Sequence, residues 1–68
     1  MLLHDAMTEV LQDAGRPLTT REIADAINEL GLYTRGDLQP LPASQVGARA
    51  KNYPWLFTKA DGRISLAG

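Results

Sequence analysis

The chain has 68 residues, 44% of them hydrophobic, no cysteine and a formal net charge of −1. That length allows one small core and no deep substrate cavity, and the lack of cysteine excludes disulfide staples, thiol nucleophiles and cysteine-ligated zinc. No apolar run approaches the roughly 20 residues of a membrane span. Because Met1-Leu2-Leu3-His4-Asp5 also lacks the basic flank of a signal peptide, we expect a cytoplasmic domain, whole or cut from a longer protein.

Leu3, Ala6, Met7, Val10, Leu11 and Ala14 recur at helical spacing and predict a first helix over about 2–14, with Gly15 as its cap and Pro17 barring continuation. Its other face carries Asp5, Glu9 and Asp13. A second helix is predicted over about 20–30. Thr19 and Glu22 form a capping box, Leu18 and Ile23 are placed for a hydrophobic staple, and Gly31 ends the run. Residues 32–42 make a connection with turn chemistry at Gly36-Asp37, longer than that of a minimal helix-turn-helix.

A third helix is predicted over about 42–52, with Pro42 at its first position and Tyr53 extended before Pro54. Val46, Ala43, Ala50 and Tyr53 fall on one side. Ser44, Ala48, Lys51 and Asn52 lie opposite, with Gln45 and Arg49 flanking them. Finally Asp61-Gly62, between two strand-like runs, predicts a hairpin over about 56–66, with Ile64 and Leu66 on one face and Arg63 and Ser65 on the other. The fold class is therefore mainly α with a small β-hairpin, a three-helix winged helix-turn-helix forming one domain over 1–68.

Charge divides along the same line. Residues 1–33 carry six acids (Asp5, Glu9, Asp13, Glu22, Asp25, Glu29) against two bases (Arg16, Arg21). Residues 34–68 carry five bases (Arg35, Arg49, Lys51, Lys59, Arg63) against two acids (Asp37, Asp61). A helix fits the DNA major groove, where Ser44, Gln45, Asn52 and Arg49 have the chemistry to read base edges. Ala48 is small enough for close approach and for meeting a thymine methyl. Lys51, Lys59 and Arg63 suit phosphate contacts, which position a protein and make its affinity salt-dependent. Double-stranded DNA is thus the expected partner, with no membrane.

Catalysis is not expected. His4 is the only histidine and is expected to be an exposed or helix-end imidazole without a ligand partner, while Asp5 and Glu9 form a solvated face. No phosphate-cradling glycine loop is present, and no cofactor is expected. Tyr53, Trp55 and Phe57 are expected to pack as an aromatic cluster joining the third helix to the hairpin. Stacking on unpaired bases is the alternative. The rival to DNA binding is a protein-interaction module that uses the acidic stripe Asp5/Glu9/Asp13 or an apolar patch around Leu38 and Leu41.

Two groups of residues carry a family resemblance. The first comprises Leu3-His4-Asp5-Ala6-Met7, Val10-Leu11, Gly15-Arg16-Pro17-Leu18-Thr19, Glu22-Ile23-Ala24, Ile27 and Gly31-Leu32-Tyr33. The second comprises Ser44-Gln45-Val46, Arg49, Tyr53-Pro54, Phe57, Gly62-Arg63-Ile64 and Leu66. Together they resemble the HARE-HTH domain over almost the whole chain. The resemblance implies a winged helix-turn-helix of the kind found in chromatin proteins and fused to bacterial restriction endonucleases. Such domains are proposed to connect DNA recognition with DNA modification state. It also implies that residues 45–52, Lys59 and Arg63 are contact elements, and that the module works with a fused or associated nuclease or other DNA-processing domain.

Overall fold

Helical periodicity and caps act as the sequence predicts. The computed structural model describes residues 1–67 and contains α1 (Leu3–Ala14), β1 (Leu18–Thr19), α2 (Thr20–Leu30), α3 (Ala43–Asn52), β2 (Phe57–Ala60) and β3 (Arg63–Leu66). Gly31 closes α2 in the left-handed region at φ 65°, as Gly15 does for α1. At the other end of α2, the Glu22 amide donates to Thr19 Oγ1 at 3.1 Å. The Thr19 amide in turn donates to Glu22 Oε1 at 2.9 Å, which completes the capping box. Pro42 is the N-cap of α3 rather than its first helical residue.

The hairpin turns at Asp61 and Gly62, both at positive φ (54° and 74°), the pattern of a two-residue turn whose twist suits the flanking strands. Its register pairs Ala60 with Arg63, Lys59 with Ile64 and Phe57 with Leu66. The structure adds one strand to the predicted hairpin. Leu18 and Thr19 pair antiparallel with Ile64 and Arg63, giving a three-stranded sheet of order β1-β3-β2. Two residues are too short to show strand periodicity, so β1 exists because β3 offers it an edge.

One core joins these elements. Leu3, Met7, Val10 and Leu11 of α1 meet Ile23 and Ile27 of α2, Val46 and Ala50 of α3, and Leu18, Phe57 and Ile64 of the sheet. Leu18 and Ile23, the predicted staple pair, are both buried there. Leu41 is also buried, at 3% exposure, so the apolar patch around Leu38 and Leu41 that the rival protein-interaction reading offered does not form. Leu38 alone remains outside, at 80% exposure.

The long connection before α3 is anchored rather than loose. Asn28 of α2 exchanges two hydrogen bonds with the Leu41 backbone. Within the connection, Arg35 pairs with Asp37 at 3.1 Å, and Asp37 accepts from the Gln39 amide at 3.0 Å. Arg35 is thereby tied into its own loop. Where α3 passes the start of α2, Gly47 lies close enough that a Cβ there would meet Thr20 Cγ2 at 3.6 Å.

Candidate nucleic-acid interface

The helical wheel of α3 is reproduced in three dimensions. Val46 and Ala50 are buried and Ala43 and Tyr53 half-buried, while Ser44, Ala48, Lys51 and Asn52 are exposed. Gln45 and Arg49 sit at the boundary, half-buried. Packing one apolar side against α1 and α2 leaves the opposite side free, and that free side is polar and carries no acid.

Lys51 and Lys59 come together although they are eight positions apart. They line one groove of about 290 Å³ between α3 and β2, with Gly47, Ala50, Pro54 and Phe57. Arg63 does not join them. Residues directly opposite in an antiparallel pair project to the same face. Lys59 opposes the buried Ile64 and therefore projects on the face toward α3, whereas Arg63 opposes Ala60 and Thr19 and projects on the other face. From there its charge, together with that of Arg16, helps hold the Glu22 carboxyl below the ordinary glutamate range. The main cause of that depression is the hydrogen bond from the Thr19 backbone amide, only partly offset by desolvation. A two-residue turn at Asp61-Gly62 already implies this division of Lys59 from Arg63, a signal available in the sequence.

The aromatic residues depart from the expected packed cluster. Phe57 is buried at 4%, but Trp55 stands 67% exposed beside Tyr53, with ring centroids 5.2 Å apart. Tyr53 stacks on His4, with centroids 4.4 Å apart and planes 19° from parallel. The Arg49 guanidinium carbon lies 5.8 Å from the Tyr53 ring centre. His4 does lie at a helix end, in the first turn of α1, but it is not exposed. Its side chain is only 20% exposed, because the Tyr53 ring covers it. Sequence spacing gave no warning of this contact, which joins residues 49 positions apart.

Among the described residues, no group of three or more His, Cys, Asp or Glu side chains could hold a metal ion. No helix among them is long and apolar enough to cross a membrane.

Three helices, a sheet-forming hairpin and an unpaired polar face on α3 define a winged helix-turn-helix domain. The HARE-HTH family model (ASXL, restriction endonuclease HTH domain) matches residues 1–68, and the chain belongs to that family, whose members are generally DNA-binding. No curated protein and no solved structure matches the chain significantly.

Proposed function

We propose that this domain is a non-catalytic module that binds duplex DNA, with α3 in the major groove and the β2–β3 hairpin against the flanking backbone. The observation that carries this reading is the meeting of Lys51 and Lys59 in one groove beside the exposed polar side of α3. Cations placed there neutralise phosphates on either side of a helix seated in the groove, which fixes its register and supplies salt-dependent affinity. Ser44, Gln45, Asn52 and Arg49 supply donors and acceptors for base edges, and Ala48 gives a close, apolar approach to a pyrimidine methyl group. Arg63 reaches backbone from the outer face of the wing.

The proposal extends to targeting. The module brings a fused or associated nuclease or other DNA-processing domain to its substrate, with binding sensitive to base modification. A fused or partner domain that also engages DNA adds avidity to what one small domain supplies. A protein-interaction role loses one of its two proposed surfaces with the burial of Leu41.

An NMR titration with plain and cytosine-modified duplexes tests the reading. Shifts are expected on residues 44–52 and on Lys59 and Arg63, with Lys51→Glu/Lys59→Glu abolishing them while leaving the fold intact. Shifts confined to residues 1–30, or unchanged binding by the double variant, would overturn it.

A further inference from the structure

We infer that Trp55 and Tyr53 form a platform on which an unpaired nucleobase stacks, so that the preferred ligand is DNA with an unpaired base next to the duplex. This rests on the DNA-binding reading and names the kind of DNA.

In a chain with a single tryptophan, leaving that ring 67% exposed forgoes a large apolar contribution to a small core. The geometry around it explains why the core does not recruit it. Phe57, two residues on, occupies the core position, and the amides of Leu56 and Phe57 both donate to the Tyr53 carbonyl, at 3.0 and 3.1 Å. This turn holds the backbone on either side of Trp55 and leaves the indole outside.

The surroundings favour a nucleic-acid base over an apolar protein surface. Tyr53 is supported from one direction by His4 and from another by the Arg49 guanidinium, so it is a braced neighbour for the indole. Arg49, Lys51 and Asn52 form the last turns of α3 beside these rings, and no acid occurs between Pro40 and Ala60. An exposed aromatic face with cations nearby is the combination used for base stacking, because every base offers a π-face and its backbone is anionic. Bases inside a duplex are already stacked, so the platform is of use only to a base freed at a junction, an end or a mismatch.

The test uses the intact domain, a blunt duplex, and the same duplex extended by a short single-stranded thymidine tail. We expect the tailed DNA to bind more tightly and to quench the fluorescence of Trp55, the sole tryptophan. Trp55→Ala should lower affinity for the tailed DNA by roughly 5- to 150-fold, the usual range for losing one stacked base. The ratio between the two DNAs should then fall to about one. Trp55→Phe should keep a preference, and circular dichroism should show both variants folded. Equal affinity of the wild type for the two DNAs, or a preference that survives in Trp55→Ala, would overturn the platform while leaving duplex binding in place. Failure of both DNAs to bind at low salt would overturn the DNA-binding reading and the platform with it.

Discussion

Asn28 grips the backbone of Leu41 with both ends of its amide: Nδ2 donates to the Leu41 carbonyl at 3.0 Å, and Oδ1 accepts from the Leu41 amide at 2.8 Å. The pairing pins the end of the connection to α2 one residue before the N-cap of α3, so it helps set where α3 begins. Leu41 itself is buried, and its peptide groups have little access to replacement water. We therefore expect Asn28→Ala to destabilise the fold by about 1–3 kcal/mol, the cost of leaving a buried donor or acceptor unpaired. Asn28→Asp should fare no better, because a carboxylate cannot donate to the Leu41 carbonyl. Urea denaturation measures both. A loss below about 0.5 kcal/mol, the range of an ordinary surface substitution, would show that Leu41 burial alone holds the connection.

Duplex affinity should fall steeply with salt. If Arg49, Lys51, Lys59 and Arg63 each neutralise one phosphate, log K should fall against log salt with a slope of about −3.6. Lys51→Gln and Lys59→Gln should each reduce the slope by about 1, across DNA sequences alike. Arg35→Gln should leave it unchanged, since Arg35 is held by Asp37 and the Pro40 carbonyl within its loop. Fluorescence anisotropy over a salt series reads these slopes, and a slope untouched by either lysine change would remove the groove from the interface.

Acid should weaken the start of α2. Glu22 has a lowered pKa in the fold, chiefly because its carboxylate accepts from the Thr19 amide. A depressed carboxylate pKa stabilises the fold fully above the unfolded-state value, and that contribution is lost as pH falls through the folded value. Glu22→Gln should therefore flatten the acid side of the stability–pH profile and leave the neutral side changed by a constant amount. Thr19→Ala should cost about 0.5–2 kcal/mol at neutral pH through loss of the cap. Thermal melts from pH 3 to 7 test both, and an unchanged acid limb in Glu22→Gln would contradict the assignment.

Two positions with left-handed backbone should respond in opposite directions. Gly62 sits at φ 74° in the hairpin turn, so Gly62→Ala should cost about 1–2 kcal/mol. Leu38 adopts φ 60° while 80% exposed, so its side chain gains no burial to offset the strain. Leu38→Asn should raise stability by up to about 1 kcal/mol, since Asn tolerates this region. In a domain of this size each kcal/mol moves the melting point by roughly 4–8 °C. A melting point lowered in Leu38→Asn would show that the leucine makes an unrecognised contact.

Much of the fold is legible because its signals are local. The Thr19/Glu22 box, Gly15 and Gly31 act within one helical turn, and Asp61-Gly62 within one hairpin. The helix ends they mark match the predicted ones to within a residue. The exposed side of α3 was legible for the same reason, because once Val46 and Ala50 face inward the geometry of a helix places Ser44, Ala48 and Lys51 outside. What was missed spans the chain. The grip of Asn28 on Leu41 links residues 13 apart and leaves no mark in either segment.

Three helices, their caps, a two-residue hairpin turn and a polarity of charge follow from local sequence, because short-range sterics, hydrogen bonds and periodicity set them. Which residues meet across that framework was settled by the three-dimensional packing. It paired Leu18-Thr19 with β3, buried Leu41, laid Tyr53 on His4 and left Trp55 outside. It also brought Lys51 to Lys59 while Arg63 projects from the opposite face of the sheet. These outcomes depend on how a limited core volume is shared among distant side chains, and no local pattern encodes that competition.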